Sequence, residues 1–246
     1  MIRYSWQILL GLSLLIMSIL LYFAQIEIFH DPRDTFFYLL QDLAFIPVQV
    51  LLVTVILNRI LNVREKRATL SRLNMIIGIF FSEVGTNLLK AFTEFDHHIT
   101  KNKGALLVES RWTEAQFSAA MKRLQNYDYN IDCSKSDLRG LKVILAGKRD
   151  FLLKLLENPN LLEHEAFTEL LLAIFHLTEE LTMRKDLVTL TPADGAHIAV
   201  DIQRAYAILI MEWLVYMKHL KNEYPYLFSL AIRTNPFDEK ASIIIK

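Results

Sequence analysis

The sequence predicts an all-α protein, in which a two-helix transmembrane hairpin is followed by a cytoplasmic helical bundle. Two long apolar segments lie near the N-terminus, and each is long enough to cross about 30 Å of hydrocarbon as a helix. Beyond them, apolar residues recur at helical spacing, and no segment shows the sustained alternation of a half-buried strand. The composition agrees, because 53% of the 246 residues are hydrophobic while 22% are charged.

The first apolar segment, residues 6–24, is WQILLGLSLLIMSILLYFA and carries no charge. It is longer than the apolar core of a signal peptide, and no small-residue cleavage site follows it. We therefore expect an uncleaved membrane anchor.

The second apolar segment, residues 35–58, is TFFYLLQDLAFIPVQVLLVTVILN. Pro47 removes one helical hydrogen bond, which predicts a kink within the membrane. Tyr38, Asp42 and Gln49 fall within about 40° of one another on a helical wheel. An ionised carboxylate in hydrocarbon costs about 2.5–3.5 kcal/mol, so this stripe predicts a pore lining or a contact between copies. For Asp42 itself we favour a simpler alternative, in which the side chain lies near the outer interface of the membrane and is hydrated.

Charges that flank the two segments predict the topology. The connector, residues 25–34, is mainly acidic, whereas basic residues precede the first segment and follow the second: Arg3, and then Arg59, Arg64, Lys66, Arg67 and Arg72. Because basic residues stay on the cytoplasmic side, we expect a multi-pass protein of the prokaryotic inner membrane with both termini cytoplasmic. The hairpin then comprises residues 1–61 and the cytoplasmic helical domain residues 62–246.

The rest of the chain predicts a series of helices. Helical spacing of apolar residues from Leu70 to Phe95 indicates that the second membrane helix continues into the cytoplasm. Within it, Met75–Phe81 is either bundle core, which we prefer, or a segment at the membrane interface. Further helices are predicted for residues 113–126, opened by a Thr113–Gln116 capping box, and for residues 137–157, 161–184, 192–222 and 226–233. A loop is predicted for residues 127–136, and a short strand or a disordered tail for residues 241–245.

Charge and cysteine content exclude several functional classes. Lysine plus arginine and aspartate plus glutamate both number 27, so the net charge is zero and nothing favours nucleic-acid binding. The one cysteine, Cys133, excludes an internal disulfide and a zinc site built from cysteines. A phosphate-binding glycine loop and a Gly-x-Ser-x-Gly motif are absent from the sequence. We therefore expect no cofactor, and a non-enzymatic protein is the better prediction.

Three groups of histidines and carboxylates have spacings that metal ligands use. Glu94 and His97 repeat the Glu-x-x-His spacing of di-metal bundles, but those sites need a second such motif, which this sequence lacks. A second group lies on one face of the predicted helix 161–184: Glu165, Glu169, His176 and Glu180. A third lies near the start of the next helix, where its acids oppose the helix dipole: Asp194, His197 and Asp201. We interpret these groups as solvated faces and expect no bound metal.

Three stretches, FIPVQVLLVTVILNRIL, LNMIIGIFFSEVGTNLL and WLVYMKHLKNEYPYLFSLAIRTNPF, resemble a family of uncharacterised prokaryotic membrane proteins. That family has an N-terminal two-helix transmembrane hairpin and a helical cytoplasmic domain. The resemblance covers most of the chain and implies this architecture, but it implies no activity.

These observations predict a non-enzymatic inner-membrane protein whose cytoplasmic helical domain mediates self-assembly or binds a cytoplasmic partner. The expected surroundings are the lipid bilayer and further copies of the chain in a homo-oligomer. Two alternatives remain open at this point. One is a homo-oligomeric ion channel lined by the second membrane helix, and the other is a membrane-tethered metalloenzyme that uses the glutamate and histidine faces.

Overall fold

The computed structural model describes residues 5–30, 32–134, 136–159, 161 and 164–244. These residues form helices and contain no named strand, and an antiparallel bridge joins Asp96 to Ile131. The predicted all-α class is therefore confirmed. The chain divides into two compact units, Met1–Lys66 and Arg67–Lys246. Arg3, Asp31 and Ile245, which the sequence-based predictions used, lie outside the described residues.

The N-terminal unit contains helix α1 (Ser5–Phe29) and the first part of helix α2 (Pro32–Phe80). The chain leaves α1 at His30, whose φ of 54° is left-handed and whose N–H donates to the Ile26 carbonyl at 2.9 Å. This is the geometry of a helix C-cap. Pro47 lies inside α2, which continues past it to Phe80.

The described residues include three helical segments that are long and apolar enough to cross a membrane. For Leu9–Phe29 and Pro32–Lys66, 0% of the apolar window is buried within the protein. Two apolar helices that are exposed throughout indicate association with a membrane. The third segment, Arg72–Thr93, differs because 44% of its window is buried within the helical unit.

The second unit is a helical bundle. It contains the end of α2, a π-helical turn (Phe81–Gly85), α3 (Thr86–Thr93), α4 (Ile99–Asn102), a 3₁₀ turn (Lys103–Ala105), α5 (Glu114–Gln125), α6 (Leu138–Gly147), α7 (Arg149–Leu156), α8 (Glu165–Met183), α9 (Pro192–Glu223) and α10 (Pro225–Arg233). Helix α9 is central and packs against α8, α10, α5 and α3, while α6 and α7 pack on α8.

The core of the bundle includes the C-terminal end of α2 and the π-helical turn that follows it. Ile77, Phe80 and Phe81 are at most 3% exposed, and Phe80 meets Phe167 of α8 edge to face with ring centroids 5.2 Å apart. Met75 and Ile79, on the other side of the same helix, are exposed. One side of residues 75–81 therefore belongs to the bundle core, as preferred, and the other side is exposed.

Side-chain caps mark the beginnings of α5, α8 and α9. The capping box at Thr113 is present, because its side chain accepts from the Gln116 N–H and the Gln116 side chain accepts from the Thr113 N–H. Thr191 caps α9 as predicted, with Pro192 in the first turn. The prediction for α8 was four residues too early, because His164 Nδ1 accepts from the Phe167 N–H at 3.1 Å and caps a helix that begins at Glu165.

The single helix predicted for residues 137–157 is wrong. Two helices, α6 and α7, meet at Lys148, whose φ of −112° and ψ of 4° are not helical. The Lys148 N–H donates to the Leu145 carbonyl, which closes α6 with a tight turn. Both short helices thereby direct apolar faces, which contain Leu145 and Leu152, into the core.

Candidate functional site: a histidine–carboxylate cluster between α8 and α9

The candidate site lies between the C-terminal half of α8 and the first turns of α9. A short connection, residues 184–191, reverses the chain, so the end of α8 lies beside the start of α9. On α8, His176 and Glu180 are four residues apart and share a face, as do His197 and Asp201 on α9. The packing of the two helices brings these two pairs together.

The four side chains converge within ion-pair distance. His176 Nε2 lies 3.2 Å from Asp201 Oδ2 and 4.0 Å from Glu180 Oε1. His197 Nε2 lies 3.5 Å from the same Asp201 Oδ2 and 3.7 Å from Glu180 Oε2. Both imidazoles are about half exposed, whereas the Asp201 side chain is 3% exposed. The cluster thus has a buried acidic floor and a solvent-facing side.

Asp201 is the unusual member of the cluster. Its Oδ1 accepts a hydrogen bond from Arg204 Nη1 at 3.1 Å. Its Oδ2 is buried and accepts no hydrogen bond from any described residue, although both imidazole nitrogens lie nearby. A buried carboxylate oxygen without a donor is costly, and such a group calls for an explanation.

Arg184 fixes the other carboxylate of the cluster. Its guanidinium donates from Nη1 to a Glu180 oxygen and from Nη2 to Asp194 Oδ1 at 2.7 Å. The hydrogen bond from Arg184 is the main reason that the pKa values of Glu180 and Asp194 lie below their usual range. Both carboxylates are therefore held in the ionised form.

The donor atoms of the cluster suit a divalent metal ion. One ligand atom from each of His176, Glu180 and His197 lies within 4.8 Å of the other two. Imidazole nitrogen and carboxylate oxygen are the ligands that zinc and neighbouring first-row metals take in proteins.

The structure separates the other candidates that the sequence suggested from this cluster. Helix α3 ends at Thr93, so Glu94 and His97 do not share a helix face, and His97 Nε2 instead lies 3.6 Å from Asp132 Oδ2. Glu169 is exposed on α8 and is not among the residues that form the cluster. Of the α8 group, His176 and Glu180 belong to the site. Sequence spacing indicated each helix face, but it did not indicate that the two faces meet.

Among the described residues of the N-terminal unit, none buries the Tyr38–Asp42–Gln49 stripe on α2. Tyr38 is 54% exposed, and its ring meets the Phe37 ring edge to face at 5.7 Å. Asp42 and Gln49 are also exposed. These three residues stand on a helix whose apolar neighbours are exposed as well.

Fold and sites together define an all-α protein with two exposed apolar helices followed by a helical domain. The chain belongs to the MJ1433 family: residues 2–61 match the family model described as "MJ1433, N-terminal helical domain", and residues 69–233 match "Uncharacterized protein MJ1433, C-terminal helical domain". It is 46% identical over 239 residues to the uncharacterized protein MJ1433 of Methanocaldococcus jannaschii, covering 97% of this chain and 96% of that protein. No solved structure matches the chain.

Proposed function

We propose that the chain is a two-span protein of the prokaryotic cytoplasmic membrane that holds its helical domain in the cytoplasm and assembles with further copies of itself. In this proposal the membrane hairpin provides anchorage and the first contacts between copies. The helical domain provides a binding surface for itself or for a cytoplasmic partner.

The proposal that copies of the chain assemble rests on one observation: Asp42 is exposed on a helix that is apolar enough to span a membrane. A carboxylate that faces lipid costs about 2.5–3.5 kcal/mol, so such residues normally face protein or water. Tyr38 and Gln49 lie on the same side of α2 and offer polar groups to a neighbouring copy. A homo-oligomer that contacts through the Tyr38–Asp42–Gln49 stripe would remove these groups from lipid.

The cytoplasmic placement of the helical domain is supported by the charges that follow the second span. Arg59, Arg64 and Lys66 lie at the end of the N-terminal unit. Basic residues next to a span are retained on the cytoplasmic side. Glu27, in the last turn of α1, and Asp34, in the first turn of α2, are consistent with the opposite side.

The mass of the particle in lipid nanodiscs tests the assembly. We expect the wild-type chain to be oligomeric and Asp42→Leu or Gln49→Leu to shift it toward monomer. Gln41→Leu is the matched control, since Gln41 lies on the same helix about 80° from Gln49 on the wheel and its removal should leave the particle unchanged.

Conductance across a reconstituted bilayer distinguishes a contact from a pore. A cation conductance that Asp42→Asn reduces, while the oligomer persists, would make the stripe a pore lining. An oligomer without conductance would leave it a contact between copies. A wild-type monomer that Asp42→Leu does not alter in yield or stability contradicts both forms of the proposal.

A further inference from the structure

We infer that His176, Glu180, His197 and Asp201 bind one divalent transition-metal ion of the zinc class between helices α8 and α9. This inference goes beyond the proposed anchoring and assembly. It concerns the second unit alone, and it does not depend on the oligomeric state of the membrane hairpin.

The distances between the ligand atoms fit a shared ion. Two atoms that each bind one zinc ion at about 2.0–2.1 Å lie about 3.3 Å apart in tetrahedral geometry. The Asp201 Oδ2 atom lies 3.2 Å from His176 Nε2 and 3.5 Å from His197 Nε2. The separation of 3.7 Å between His197 Nε2 and Glu180 Oε2 is close to the same value. The separation of 4.0 Å between His176 Nε2 and Glu180 Oε1 is longer, so side-chain rotations must accompany binding to one ion.

The unpartnered oxygen of Asp201 is the independent observation that indicates a ligand. Asp201 is 3% exposed, and its Oδ2 has no hydrogen-bond donor among the described residues. It faces the two Nε2 atoms, so a cation between these three atoms would satisfy all of them. A carboxylate kept solely for helix stability would be expected to have its second oxygen hydrogen-bonded.

Arg204 and Arg184 hold the carboxylates of Asp201 and Glu180 in place, as the hydrogen-bond partners of metal ligands do. Arg204 binds Asp201 Oδ1, which leaves Oδ2 directed at the histidines. Arg184 is fixed by Asp194 and holds Glu180 in place. Such partners of metal ligands typically change metal affinity by roughly 10–100-fold.

The charge of the cluster also favours a cation. Three carboxylates, from Glu180, Asp194 and Asp201, face two guanidinium groups, from Arg184 and Arg204, so one negative charge is left over when the histidines are neutral. A divalent ion would compensate this charge. Both imidazoles are about half exposed, which gives an ion access from solvent.

The donor set selects the class of metal. Two imidazoles and two carboxylates suit zinc, iron(II) and cobalt(II), whereas magnesium and calcium prefer oxygen ligands alone. Because four protein side chains complete a tetrahedral shell, the ion would be structural, linking α8 to α9.

Zinc and cobalt(II) binding to the full-length chain in nanodiscs tests the inference. Chelator-treated protein should take up one zinc ion per chain, with a rise in thermal midpoint, and cobalt(II) should give the visible absorption of a tetrahedral complex. Asp201→Asn and His197→Gln should each weaken zinc binding by about 100-fold or more. A residue that only orients a metal ligand would change the affinity by at most about 100-fold. Glu169→Gln and His97→Gln, which alter an exposed glutamate of α8 and a histidine distant in sequence, are the controls and should bind zinc as the wild type does.

Stability without metal distinguishes a lost ligand from a damaged fold. Asp201→Asn keeps the shape of the side chain and removes the charge that pairs with Arg204, so the variant should still unfold cooperatively without metal, while its response to zinc should disappear. Absence of stoichiometric zinc and cobalt(II) binding by the wild type would overturn the inference in favour of a simple ion-pair cluster. Equal zinc affinity in Asp201→Asn and the wild type would also overturn it.

Discussion

The rings of Phe81 and Tyr216 are stacked, with centroids 4.9 Å apart and an angle of 12° between their planes. Phe81 begins the π-helical turn that follows α2, and Tyr216 lies on the central helix α9. The extra residue of a π turn changes the direction of the side chains that follow it. In this protein the turn ends at Gly85, which packs against the rings of Phe80 and Phe81.

Gly85→Ala should destabilise the helical unit. A Cβ at this position would lie 2.6 Å from Phe81 Cδ1 and 2.8 Å from Phe80 Cε1, and both rings are buried in the core. Overpacking of this kind typically costs about 1–3 kcal/mol. Thermal unfolding of the full-length variant, followed by circular dichroism, should show a lower midpoint than that of the wild type.

Gly195→Ala is the matched control for Gly85→Ala and should act in the opposite direction. Gly195 lies in the first turns of α9, and apart from its chain neighbours and the backbone of its own helix, no described atom lies within 4 Å of the Cβ that alanine would add. Replacing a helical glycine by alanine stabilises by up to about 1 kcal/mol. Equal midpoints for the two variants would contradict the packing argument at Gly85.

Tyr127→Phe should weaken the attachment of the 127–132 segment to the residues that follow α3. The Tyr127 hydroxyl donates to Asp96 Oδ2 at 2.5 Å, while Asp96 Oδ1 accepts from the backbone N–H groups of His98 and Asn130. Since Asp96 is 3% exposed, losing one donor should cost about 1–3 kcal/mol of unfolding free energy. Tyr226→Phe, at a 70% exposed tyrosine, is the control and should leave that free energy unchanged.

Glu212 should make the stability of the helical unit decrease as pH rises. Glu212 is 5% exposed on α9, and burial raises the pKa of its carboxyl group, while His164 partly opposes this shift. An unfolded glutamate loses its proton near pH 4.3, whereas the native one keeps it to higher pH, so the native state binds more protons above that value. Unfolding free energy therefore falls as pH rises from the unfolded pKa to the native one.

Glu212→Gln tests this dependence because glutamine stays neutral. The midpoint of the variant minus that of the wild type should grow as pH rises above the unfolded pKa of about 4.3. Glu169→Gln, at an exposed glutamate on α8, provides the baseline and should show no such trend. A constant difference for Glu212→Gln would mean that the native carboxyl group ionises normally.

Local features of the fold could be predicted from the sequence, whereas the histidine–carboxylate cluster could not. The caps at Thr113 and Thr191 each involve residues within three positions, so their pattern is visible in the chain. The break at Lys148 follows Gly147, the last residue of α6, and this single glycine is a weaker stop signal than the prolines that follow α7, α9 and α10. His176 and Asp201 meet only through the register of α8 against α9, which periodicity within one helix does not encode.

The last prediction concerns topology, and it rests on the asymmetry of charge around the two spans. Both termini should be cytoplasmic, because Arg59, Arg64 and Lys66 follow the second span while the connector is acidic. Burial raises the pKa of the native Cys133 thiol to about 11, which slows its alkylation, and Cys133→Ala removes this background. In that variant, His30→Cys, at the exposed turn between α1 and α2, should react with a membrane-impermeant maleimide in intact cells. Thr100→Cys, at an exposed position of the helical unit, should react only after permeabilisation, and labelling in the reverse order would place the helical domain outside.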